Sequence, residues 1–200
     1  MKGRRMKEIM QPGFAVRLAA LLVLLCAGAA CSAGSTDGEG PGTHAAVIGP
    51  QGGVVEVTDP ASGIYGARIS VPPGALENGQ SISLSATSLP AGLPNGYLAG
   101  GRCVDFQPDG ISFHRAVLLS IPYYDSNGDG IIDGRAVRED DIGVLYYNST
   151  AGRWEEMPLH GVDAENNLAM VETNHFSTYL VRVDPADART LDSGLPGAGA

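Results

Sequence analysis

This chain is short of positive charge, of cysteine and of any apolar pattern with a helical period. Of its 200 residues, 13 are Lys or Arg against 22 Asp or Glu, a formal net charge of −9. A nucleic-acid-binding surface needs a basic face to displace counterions from phosphates, so no nucleic acid is expected as a partner. The three cysteines, Cys26, Cys31 and Cys103, are too few for a disulfide-built scaffold. No stretch holds an apolar 3.6-residue period for three turns, so little helix is expected. His44, His114 and His160 lack the spacing of zinc ligands. Gly-rich phosphate loops, nucleophile elbows and zinc-binding helix motifs are missing as well. Turn residues, by contrast, are plentiful. The chain has 28 Gly and 13 Pro in no periodic arrangement, which excludes a collagen-like repeat and favours a turn-rich fold. The length allows one domain with accessory segments.

The N-terminus reads as an export signal. Lys2, Arg4, Arg5, Lys7 and Arg17 precede the 13-residue apolar run LAALLVLLCAGAA at 18–30. A basic region, a short apolar run and small residues make a secretory signal, and the run is shorter than the roughly 20 residues that span a bilayer. The run continues into AGAACS, which resembles a bacterial lipobox. That resemblance implies lipidation of Cys31 and, since Ser32 is not Asp, retention at the outer membrane. Ordinary cleavage nearby, giving a secreted protein, is the alternative. Removing 1–31 leaves eight basic residues, all Arg, against 21 acids, a net charge of −13. A multi-chain lipid anchor holds such a chain at a membrane stably, whereas a single acyl chain is marginal.

Four segments follow: the signal with its lipobox at 1–31, a Gly/Ser-rich tether at 32–46, a core region at 47–183 and a loose tail at 184–200. The core region has period 2. Ala67, Ile69 and Val71 alternate with polar residues. So do Ile82, Leu84 and Ala86, then Val104 and Phe106, then Val117, Leu119 and Ile121. Ile142, Val144 and Tyr146 follow, then Leu168 and Met170, then Phe176, Thr178 and Leu180. Turn signals separate these runs: PPG at 72–74, PDG at 108–110, NGDG at 127–130 and AENN at 164–167. Short alternating strands with turns between them predict an all-β chain, an antiparallel β-sandwich of one domain.

Three segments carry a family resemblance. They are Gly52-Gly53-Val54-Val55, then ARISVPPGAL at 67–76, then PDGISFHRAVLLSIP at 108–122. Pro73-Gly74 suits a turn because Pro fixes φ and Gly tolerates positive φ, and Pro122 stops a strand because it lacks an N–H. In this order and spacing they resemble the ZU-five domain, the β-sandwich shared by zonula-occludens scaffolds, netrin receptors and ankyrins. The likeness spans about 50–183 and implies a non-enzymatic interaction module, without naming its ligand; the partner expected is an unidentified protein or glycan.

Two short motifs suggest chemistry. DSNGDGIID at 125–133 places Asp125, Asn127 and Asp129 at positions 1, 3 and 5 of an EF-hand-type loop, with Gly130 at the sharp turn. The Ile131 carbonyl and Asp133 would add oxygens, a hard donor set suited to Ca²⁺. Position 12 is Ala136 rather than Glu, which leaves Glu139, Asp140 or Asp141 to close the shell. The other reading of this stretch is a hairpin turn that needs no metal. His175-Phe176-Ser177 is similar to the site at which ZU-five-like domains of death-domain scaffolds and inflammasome sensors cleave themselves. That similarity implies attack of the Ser177 hydroxyl on the Phe176 carbonyl, with His175 handling the proton. The plain alternative is packing: Phe176 in the core, Ser177 facing out. Tyr146, Tyr147 and Trp154 offer a third reading, an aromatic patch of a carbohydrate-binding module, against a core role for Trp154.

Overall fold

The computed structural model describes residues 42–187. The signal segment, Cys31, most of the tether and most of the tail lie outside the described residues. Within them the chain is all-β. Twelve strands form two antiparallel sheets, and the remaining regular structure is three short 3₁₀ turns. No helix of the described residues is long and apolar enough to cross a membrane.

The strands are β1 (Thr43–Ile48), β2 (Gly53–Glu56), β3 (Arg68–Val71), β4 (Gln80–Thr87), β5 (Leu98–Ala99) and β6 (Cys103–Gln107). They continue with β7 (Ser112–Pro122), β8 (Gly143–Asn148), β9 (Arg153–Met157), β10 (Gly161–Asp163), β11 (Leu168–His175) and β12 (Thr178–Val183). One sheet runs β1-β4-β6-β12-β8-β9, with β5 also paired to β12. The other runs β10-β11-β7-β3-β2. Ile69, Ile82, Leu84, Val104, Phe106, Val117, Leu119 and Ile121 are fully buried, as period-2 alternation demands.

The structure corrects the sequence reading at three places. β1 begins at Thr43, so the last four residues of the expected tether belong to the sandwich. Small Ala45 and Ala46 pair there against Ser83 and Ile82 of β4. Leu168 and Met170 do not face the core. Ala169 and Val171 do, opposite Ile121 and Leu119 of β7, and the larger neighbours are turned outward. The seven-stranded sheet is also buried on both faces over part of its area. Cys103, Leu145, Trp154 and Leu180 form a second cluster on its outer side, covered by Ala91, Leu93 and Tyr97. Burial raises the Cys103 thiol to about 11.

The three segments that carry the family resemblance meet at one corner. Gly52 has φ +74°, and a Cβ added there would lie 2.3 Å from the Val71 carbonyl oxygen. Gly74 (φ +78°) donates its N–H to the Pro50 carbonyl at 2.8 Å. From the third segment, Arg115 Nη1 donates to the Pro73 carbonyl at 2.9 Å, and the His114 N–H to the Ala75 carbonyl at 3.1 Å. Only glycine fits at position 52, on conformation and on space together.

Gly52→Ala is therefore expected to destabilise the fold by at least ~2 kcal/mol in urea unfolding. Gly92→Ala, where an added Cβ meets nothing within 4 Å, should fall within about 0.5 kcal/mol of the parent. Equal effects at the two positions would refute the close-packed corner.

Candidate functional site

His175, Phe176 and Ser177 form the link between the two sheets. His175 ends β11 in the five-stranded sheet and Thr178 starts β12 in the seven-stranded one. Phe176 is buried against Phe113 and Phe106, with ring centroids 4.9 and 5.8 Å away. The His175 carbonyl accepts from the Tyr179 hydroxyl at 3.0 Å and from Thr173 Oγ1 at 3.0 Å. The Ser177 carbonyl accepts from the Phe106 N–H at 3.1 Å. Both sides of the Phe176–Ser177 bond are thus tied down by neighbours.

The reactive groups are placed close together but in a particular way. His175 Nδ1 lies 3.4 Å from the Phe176 carbonyl oxygen. With the proton on Nδ1, the ring would polarise that carbonyl rather than take the serine proton. The Ser177 hydroxyl is buried and donates to the Tyr147 carbonyl of β8. No hydrogen bond among the described residues joins His175 to the Ser177 hydroxyl. A cleft of about 220 Å³ opens beside the link, with Tyr146, Tyr147, Asp109 and His175 among its walls. Nothing in the sequence pointed to Thr173, Tyr179 or the Tyr147 carbonyl, because strand register alone brings them here.

The acidic loop is folded around one carboxylate. Asp125 is 4% exposed. Its Oδ1 accepts from the N–H groups of Gly128 (2.9 Å) and Asp129 (3.2 Å), and its Oδ2 from that of Gly130 (2.9 Å). Asn127 Nδ2 donates to Asp129 Oδ2 at 2.8 Å, and the Ile131 N–H to Asp129 Oδ1 at 2.9 Å. Both Asp133 oxygens accept from the Ser126 N–H. Of the three acids that could close the loop, Glu139 reaches it. Its N–H donates to the Gly130 carbonyl, and its carboxylate accepts from the Tyr123 hydroxyl at 2.8 Å. Burial first, then that hydrogen bond to Glu139, pushes the Tyr123 phenol well up.

All five expected ligand residues are gathered in one loop, yet the side-chain oxygens of Asp125, Asp129 and Asp133 accept from the loop's own N–H groups. Among the described residues, no group of three or more His, Cys, Asp or Glu side chains is placed to hold a metal. As arranged, the loop's carboxylates accept from its own backbone, which is what a self-closed turn requires.

Of the two readings of the aromatic residues, Trp154 takes the core one. Trp154 is 5% exposed and donates its Nε1–H to the Ala91 carbonyl at 3.1 Å. It stacks edge-on with Tyr147 at 5.5 Å under the covering segment. Tyr146 instead donates to Glu155, which raises the phenol and lowers the carboxyl. A sugar platform at this place would lack its tryptophan. The feature missed from sequence is a concavity of about 570 Å³ on the outer face of the five-stranded sheet. Its signal was the Leu168 and Met170 pair, read as inward-facing.

Residues 44–132 match the family model of the ZU5 domain. No curated protein matches the chain. The match covers the corner of motif segments and stops inside the acidic loop. The family resemblance read from the three segments therefore stands over that stretch, and a ZU5 domain points to a protein-interaction module.

Two outcomes follow. Asp125→Ala strips three backbone donors of a charged acceptor and should cost about 3 kcal/mol, measured by urea unfolding in chelator; an unchanged midpoint would show that the loop does not depend on this carboxylate. Burial also raises the Tyr179 phenol to about 12, so folding favours its neutral form. That stabilisation is complete below the ordinary tyrosine value of about 10 and is lost as pH rises through about 12. Tyrosinate absorbance should show Tyr123 and Tyr179 ionising only as circular dichroism reports unfolding. Ionisation of all seven tyrosines at pH 10 with the fold intact would contradict this.

Proposed function

We propose that this ZU5-like sandwich is a non-enzymatic protein-interaction module, held at the outer membrane of a bacterial envelope by lipid on Cys31. The observation that carries the module reading is the ZU5 match over residues 44–132, on a domain with an open concavity of about 570 Å³ on a sheet face. Aliphatic side chains and carboxylates line that concavity, a chemistry suited to binding a chain. The anchor reading is supported by the basic segment, the 13-residue apolar run and the AGAACS junction. Calcium enters this proposal only as a stabiliser of the 125–133 connection, and it would have to displace backbone amides from Asp125 and Asp133.

A second reading is self-cleavage at Phe176–Ser177, favoured by the 3.4 Å approach of His175 Nδ1 to the Phe176 carbonyl oxygen. The Ser177 Oγ–carbonyl bond would form as the Phe176–Ser177 amide breaks, freeing the Ser177 amine. Water would then hydrolyse the ester, returning the hydroxyl and leaving a carboxylate on Phe176.

Cys31→Ala should move the protein from the membrane fraction to the soluble one, and an unchanged distribution would refute the lipid anchor. Photo-crosslinking in cells from exposed sandwich positions should give adducts of discrete mass, and no adduct from any position would remove the module reading. Denaturing intact mass then separates the two readings. One full-length mass is expected, whereas a fragment beginning at Ser177 would establish self-cleavage. Melting in chelator against millimolar Ca²⁺ decides the stabiliser question, since binding to the native state alone must raise the midpoint.

A further inference from the structure

We infer that the outer face of the five-stranded sheet is the docking surface, and that its occupant is an extended segment of a partner protein with cationic and aliphatic side chains in alternation. The inference rests on the module reading above and adds the place and the chemistry of contact.

The floor is set by register. β11 pairs with β7 so that Ala169 and Val171 sit over Ile121 and Leu119 on the core side. Leu168 and Met170 are thereby turned to the solvent side, together with Leu118 and Ser120 of β7. Solvent-facing positions of a sandwich sheet are ordinarily polar, so three aliphatic side chains at adjoining positions form an incomplete contact. Tyr65, 55% exposed, stands at the rim. The concavity of about 570 Å³ reaches from β10 at one edge of the sheet to β2 at the other.

The rim sets the charge of the occupant. Asp163 ends β10, Glu165 lies in the β10–β11 turn, and Glu56 ends β2. Asp163 is fixed there, with Oδ1 accepting from the Asn166 N–H and Oδ2 from its side-chain amide. Against these three carboxylates the groove has one cation, Arg68, which forms no ion pair among the described residues. The chain as a whole carries −9. Carboxylates on both edges of an aliphatic floor complement a segment whose cations reach the rims while its aliphatic side chains cover Leu118, Leu168 and Met170. Arg68 is placed to donate to a carbonyl of that segment and so give it a direction. A glycan fits less well, because the floor is aliphatic and the one aromatic ring stands at the rim.

The test uses the full-length chain and a fluorescent capped peptide of alternating Arg and Leu, with a Glu–Leu peptide as its counterpart. The Arg–Leu peptide should bind, and more weakly as salt rises; the Glu–Leu peptide should not. Glu56→Gln/Glu165→Gln and, separately, Leu118→Asn should each weaken binding at least tenfold. Glu77→Gln/Asp140→Asn removes the same charge outside the groove and should leave affinity unchanged. Equal weakening by that control, indifference to Leu118→Asn, failure of the Arg–Leu peptide to bind, or its displacement by a neutral chitin oligosaccharide would each overturn the inference. The two proposals fail differently. Cellular crosslinks that persist in the Leu118→Asn chain remove the groove and keep the module, whereas a parent chain with no crosslinks removes the module.

Discussion

The sandwich depends on the approach of Gly52 to the Val71 carbonyl and the Pro72 backbone. Two chain segments touch there at a distance no side chain could share. This contact sets the turn between β1 and β2, which belong to different sheets, and so sets how the sheets face each other. The Pro-Pro-Gly turn closes on the same point through Gly74, and β7 reaches it through Arg115 and His114. The motif segments that look scattered along the chain are the parts of one junction, which gives a physical reason for their appearing together.

Much of the fold was legible because strands with one wet face write their burial as alternation. β3 and β4 show this directly, with Ile69, Val71, Ile82 and Leu84 inward and serines between them. Legibility failed where that premise failed. β12 is buried on both faces, with Tyr179 and Val181 in the main core and Leu180 in the second cluster, so its apolar run has no phase to read. In β11 the inward set contains Ala169 and Thr173, smaller or more polar than its outward neighbours Leu168 and Met170. A rule that assigns the larger apolar residue to the core selects the wrong face there, and the groove goes unseen.

The candidate sites were legible as composition and not as geometry. The acidic loop places its oxygens at a spacing that serves a cation and a turn equally well, and only the direction of the N–H groups around Asp125 separates the two. The His-Phe-Ser link shows the same limit. Its residue types suit acyl transfer, but the partner of the serine hydroxyl is the Tyr147 carbonyl, 30 residues away in the chain. Trp154 was assigned by the segment that covers it, and no pattern within β9 records that segment.

β12 lies between β6 and β8 in the larger sheet and also pairs with β5. The last of the described strands is thus the middle of that sheet. Any chain that stops short of Thr178 leaves β1, β4 and β6 on one side and β8 and β9 on the other, with facing edges that have nothing to zip onto. The larger sheet therefore has no stepwise route from its N-terminal end. Without the segment from Thr178 on, that sheet exists only as two separate halves, which β12 joins along both of its edges at once.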